Sequence, residues 1–174
     1  MTSKSAPIQF AAAVLLLHGS LCAASGLTFE VKSPDATVTL PAFIPPMKMA
    51  PHPMRMTRPH LRLLGQDGPY TVSVLTPNAD KGMGPRECAA ATTSSLPGRP
   101  GVPPLKEIVK GRLNERTYIA MYGSRLPDGV QLHAHLFSAA GTHCIEVHVS
   151  KVASPDEDFD PWFKGWEKAS IDAK

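Results

Sequence analysis

The sequence lacks any apolar run long enough to cross a bilayer, which takes roughly 20 apolar residues. The run from Ala11 to Leu17 stops at His18-Gly19-Ser20 and resumes only from Leu21 to Ala24. A transmembrane segment is therefore not expected. Charge of one sign is also lacking: 18 basic residues stand against 15 acidic ones. Nucleic-acid partners usually call for a strong basic excess, so that class is set aside, and nothing supports binding at a membrane surface. Cysteine is scarce, with three in the chain and no Cys-x-x-Cys, which removes the usual redox-active thiol pair. Catalytic signatures are missing as well. There is no Gly-x-Ser-x-Gly elbow, since Gly123-Ser124-Arg125 lacks the second glycine, and no His-Glu-x-x-His. Gly82-Met83-Gly84 is a lone Gly-x-Gly without a phosphate-loop context. The chain reads as a non-enzyme.

What is present begins at the amino end. Lys4 is the sole charge before Glu30, an apolar centre follows, and Ala23-Ala24-Ser25 offers small residues for cleavage. These features predict a secretory signal peptide over residues 1–25. A lipid anchor at Cys22 is disfavoured, because Leu21 stands where a lipoprotein signal wants a small residue. The expected compartment is outside the cytoplasm, periplasmic or secreted. Removing Lys4 leaves 17 basic residues against 15 acidic, a net charge of +2. Removing Cys22 leaves Cys88 and Cys144, which an oxidising compartment joins in one disulfide. In the chain-entropy account such a loop stabilises the fold by roughly 4 kcal/mol. The mature chain, residues 26–174, has the length of a single domain of about 150 residues.

Hydrophobic alternation and turn residues set out the elements. Leu27 to Val31 and Ala36 to Leu40 flank Ser33-Pro34-Asp35 as two short strands. Residues 41–59 hold six prolines, which excludes a regular helix or a central strand and predicts an irregular Pro/Met-rich segment. His60 to Leu64 and Tyr70 to Thr76 form a hairpin around Gly65 to Pro69. Pro85 to Leu96 is a short helix with proline in its first turn. Leu105 to Lys110 is one or two further helical turns. Arg116 to Tyr122, Gln131 to Phe137 and Thr142 to Val149 are strands. Ser154 to Asp158 caps a closing helix, from Asp160 if Pro161 delays its start, on which Phe159, Trp162, Phe163, Trp166 and Ser170 share one face. Strand runs joined by turns, with helices between and at the end, predict an α+β fold with a mainly antiparallel sheet flanked by short helices.

The last hairpin carries the most chemistry. With its turn centred on Ala140-Gly141, Leu136 pairs with Ile145, Ala134 with Val147, His133 with His148, His135 with Glu146 and Phe137 with Cys144. A slip of one residue would split the aliphatic set between faces, so the pattern fixes which face is core. The other face then holds His133, His135, Glu146 and His148 within reach of one another. A histidine-bearing hairpin ending in Cys144-Ile-Glu-Val-His-Val-Ser150, followed by an acidic and then aromatic helix, resembles the PsbP/Mog1-like α/β/α sandwich group over about Leu105 to Ile171. Small exported bacterial proteins of unassigned function are common in that group. The resemblance implies a binding or accessory role and carries no functional residues with it. The proline-rich segment departs from it.

Two clusters can bind metal. The first is Met47, Met49, His52, Met54, Met56 and His60. Four of the six methionines outside the signal fall here, and thioether with imidazole suits copper, especially Cu(I). The same methionines also suit packing on the sheet or a pliable partner surface. The second is His133, His135, His148 and Glu146, a set that suits zinc or copper, and equally a histidine patch titrating near neutral pH. The sequence thus supports a non-catalytic exported accessory or protein-interaction domain, contacting a partner through the Pro/Met-rich segment or the open sheet face. The alternative is a copper- or zinc-binding protein.

Overall fold

A computed structural model describes residues 26–53 and 57–174. The predicted signal peptide, Met54 and Met56 lie outside the described residues. The fold is α+β and mostly antiparallel, with two α-helices and one disulfide among the described residues. Among the described residues no helix is long and apolar enough to cross a membrane.

Strands β1 (Thr28–Val31) and β2 (Ala36–Thr39) form the expected hairpin. The irregular stretch after them yields only a two-residue edge strand, β3 (Ala50–Pro51). Strands β4 (Leu61–Asp67) and β5 (Tyr70–Leu75) turn tightly at Gly68-Pro69, so the loop is shorter than the five residues expected. Helix α1 (Pro85–Ser94) has its proline in the first turn, and Glu87 Oε2 accepts from the Gly84 N–H at 3.1 Å. One short 3-10 turn at Leu105–Glu107 leads into β6 (Val109–Arg112), where helical turns alone were expected. Then come β7 (Tyr118–Leu126), β8 (Gly129–Ala140) and β9 (His143–Ala153). Helix α2 (Asp160–Lys164) is only five residues long and stops at Gly165. The chain then forms a strand that the sequence reading had placed at the end of the helix, β10 (Ser170–Ala173). Its partner is β2, and a four-residue strand of mixed polarity carries too little pattern to announce itself.

The seven-stranded sheet has the order β3-β4-β5-β9-β8-β7-β6 and the three-stranded sheet the order β1-β2-β10. The aliphatic face of the large sheet aligns Val72 with Val149, Val74 with Val147 and Leu136 with Val147. Val31, Val38, Ile171, Trp162 and Trp166 close over it from the small sheet and α2, all buried. Each large side chain removed from water here contributes about 1.5–3 kcal/mol. On the opposite face α1 lays Cys88 and Ala89 near Phe137 and Ala120. The Cys88–Cys144 disulfide, with Cα atoms 5.7 Å apart, ties its first turn to the start of β9.

The β8–β9 register corrects the expected one. The turn is Gly141-Thr142, with Ala140 opposite His143. Gly141 sits at φ 61°, a left-handed conformation that glycine adopts without strain. Leu136 therefore faces Val147 and not Ile145, Ala134 faces Val149, His135 faces His148, His133 faces Ser150, and Phe137 faces Glu146. The displacement is two residues. Side chains alternate with a period of two, so every residue keeps its predicted face although every partner changes.

Candidate functional site

Helix α1 spans ten residues and covers only part of its face. Beside it the sheet floors a cleft of about 950 Å3. The floor is made by β5, β9, β8 and β7, which present Ser73, His148, Glu146, His133, His135 and Tyr122. One wall is the end of α1 and its loop, with Thr92, Leu96 and Arg99; the other is the chain around Arg58 and His60.

The histidines meet diagonally. His133 Nδ1 lies 3.0 Å from His148 Nε2, and His135 Nδ1 lies 2.8 Å from Glu146 Oε1. Both are contacts the sequence predicted as directly opposed pairs; the two-residue displacement turns them into diagonal ones. The rings stack, with His135 and His148 centroids 4.2 Å apart and planes 12° from parallel. Tyr122 continues the stack on His133 at 4.6 Å. One nitrogen of each of the three histidines lies within 4.8 Å of the others.

Dryness decides their state. Burial pushes the His133 imidazole down to about 4, with His135 adding to the effect. Burial takes His135 down to about 3, reinforced by the positive charge of Arg99. His148 is held well below its ordinary value, again chiefly by burial. Three neutral imidazoles, each with a lone pair, therefore face one another at neutral pH. Burial raises the Glu146 carboxyl, while His148, Arg99 and a hydrogen bond from Thr92 pull it back down. Burial also raises Tyr122, which keeps its hydroxyl proton.

His135 is the residue that cannot be read as simple packing. Its Nδ1 faces Glu146, and its Nε2 is buried with no hydrogen-bond partner among the described residues. With Glu146 ionised, Nδ1 carries the proton and Nε2 is left as a buried acceptor. Leaving such a group unpaired costs about 1–3 kcal/mol. A histidine oriented through one nitrogen by a carboxylate and bare at the other has the arrangement of a metal ligand with its supporting shell.

The Met/His-rich segment divides. Met47 and Met49 pack toward the aliphatic core, with their sulfurs over Gly65, where a Cβ would lie 3.0 and 2.5 Å from them. His52 and His60 line the cleft on the other side of the sheet. The described part of that segment does not bring thioether and imidazole together.

Sequence reasoning missed Tyr122, Thr92 and Arg99. Tyr122 was within reach: a turn centred between Pro127 and Asp128 places it opposite His133, as observed. Thr92 and Arg99 arrive from a different part of the chain and left no local signal.

No family model matches the chain, and no curated protein matches it.

Proposed function

We propose that this chain is an exported, non-catalytic accessory protein of the PsbP/Mog1-like kind that holds a zinc or copper(II) ion through His133, His135 and His148. The observation that carries the reading is His135, oriented by Glu146 and bare at its buried Nε2. Three neutral nitrogen donors suit borderline divalent ions better than calcium or magnesium, which want oxygen. Glu146 then serves as the carboxylate behind a ligating histidine and not as a fourth ligand. Ligand lone pairs lie in the ring planes, so three near-parallel rings must tilt to converge on bonds of about 2.0–2.1 Å. Capture of the ion therefore exchanges the His133–His148 hydrogen bond and part of the ring stack for coordination. The cleft leaves the remaining coordination position accessible.

An internal disulfide, with no membrane-spanning helix among the described residues, is compatible with the exported setting.

Titration of metal-free chain, residues 26–174, with zinc and copper(II) against a chromogenic chelator tests the proposal. One ion per chain is expected, and the His133→Ala/His148→Ala double variant should bind about a hundredfold more weakly or worse. Equal affinity of the native chain and a folded double variant overturns the assignment.

A further inference from the structure

We infer that the cleft above the histidines also binds a small organic anion, one bearing a carboxylate or a phosphate. The cleft volume of about 950 Å3 falls in the range of small-molecule sites, roughly 300–1,000 Å3. Its charge has one sign. Arg58, Arg99 and Arg125 line it, and the single acidic lining residue, Glu146, is already engaged by His135 and Thr92. None of the three arginines enters a salt bridge among the described residues.

Arg99 is the anchor. Though exposed, it lines the same cleft as the floor residues Tyr122, His135 and Glu146. Its loop is fixed rather than trailing. The Arg99 N–H donates to the Leu96 carbonyl, and the Val102 N–H donates to the Arg99 carbonyl, each at 3.2 Å. Gly101 presses on β7 so closely that a Cβ there would sit 3.2 Å from the Arg125 carbonyl oxygen. A guanidinium carried on a loop fixed in this way offers the planar fork that matches a carboxylate or phosphate. Donors complete the recognition from below: the Tyr122 hydroxyl and the Ser73 hydroxyl. Leu64, Leu75 and Leu96 supply an apolar wall, which points to an organic group behind the charge and not to a bare inorganic ion. The inference does not require a metal, because every group it uses belongs to the metal-free chain.

The test is an amide-shift NMR titration of metal-free chain with inorganic phosphate, phenyl phosphate and benzoate. Saturable shifts centred on Ser73, Tyr122, Ser124 and the non-proline residues of the 98–102 loop are expected with at least one phenyl anion, tighter than with inorganic phosphate. Phenyl phosphate alone or benzoate alone both support the site and identify its head group. The exposed Arg99→Ala change should weaken that binding about tenfold or more, while zinc, whose three histidine ligands it leaves in place, should still bind one ion per chain. The His133→Ala/His148→Ala variant should lose zinc but keep anion binding within a few-fold. Absence of saturation with all three probes, binding no tighter than inorganic phosphate, or indifference to Arg99→Ala overturns the inference while leaving the metal proposal untouched.

Discussion

The two faces of the seven-stranded sheet are built by the same strands and have opposite characters. One face is aliphatic, from Val72 and Val74 through Ile145, Val147 and Val149 to Leu132 and Leu136, and a small sheet and two tryptophans seal it. The other alternates with it residue for residue and carries histidine, glutamate, serine and tyrosine, of which α1 covers only a part. Alternation lets one strand serve stability on one side and chemistry on the other without compromise between them. The comparison predicts that the faces can be damaged separately, and each experiment below tries to make that separation fail.

The largest effect should come from the sealed face. Trp166 is 2% exposed, its indole N–H donates to the Trp162 carbonyl, and its ring meets Phe43 edge-on with centroids 5.3 Å apart. Trp166→Ala should destabilise the chain by about 3–5 kcal/mol in urea unfolding. Zinc affinity of the folded fraction should not change. A matching loss of affinity would show that the faces are coupled and that the site is not independent of the core.

The next effect belongs to the open face and appears with pH. His133 and His135 sit near 4 and 3 in the folded chain and His148 well below its ordinary value, against about 6.5 when unfolded. The unfolded chain therefore binds more protons below about pH 6.5, and the stability present above that pH is lost as pH falls toward 4. Glu146, raised by burial, works the other way: the stability it lends is lost as pH rises, one group against three. Metal-free chain should lose on the order of a few kcal/mol between pH 7 and pH 4.5. His133→Gln should flatten that slope, whereas Trp166→Ala, which removes no titrating group, should lower the whole curve without changing its slope. A curve level from pH 7 to 4.5 would mean that the histidines are not dry.

The faces were legible in the sequence to different degrees. The aliphatic alternation of Ala134, Leu136, Ile145 and Val147 fixed the face of every residue in the hairpin, and the pairing of Cys88 with Cys144 was expected once Cys22 was assigned to a signal peptide. The register was off by two because parity protects the face but not the partner, and Gly141 settles the turn only through its backbone conformation. The same alternation sent Met47 and Met49 to the core side and His52 to the cleft, dividing a segment whose composition had suggested one cluster. The cleft itself could not be read. Its walls are set by where α1 ends and how the Gly98–Gly101 loop returns to β7, contacts between segments far apart in the chain. β10 was hidden for a related reason, since its identity comes from the edge of β2 and not from its own four residues.

The finest distinction concerns Glu146. As a buried carboxyl that merely satisfies His135, it should matter for stability and little else. As the group that orients a metal ligand, it should matter for affinity and little for stability. Glu146→Gln separates the two, because the glutamine carbonyl can still accept from the His135 N–H and fills the same space. What disappears is the negative charge that raises the basicity of the ligating nitrogen. Zinc affinity should fall about ten- to a hundredfold, roughly 1.4–2.8 kcal/mol, with the urea midpoint of the metal-free chain changed little in comparison. The direction of that small stability change carries information too. A buried carboxylate is expensive to desolvate, so the neutral amide can leave the metal-free chain as stable as before or more so. Retained affinity in Glu146→Gln together with a large loss of stability would place Glu146 in the packing of α1 against the sheet, and the polar face would then differ from the aliphatic one in composition but not in purpose.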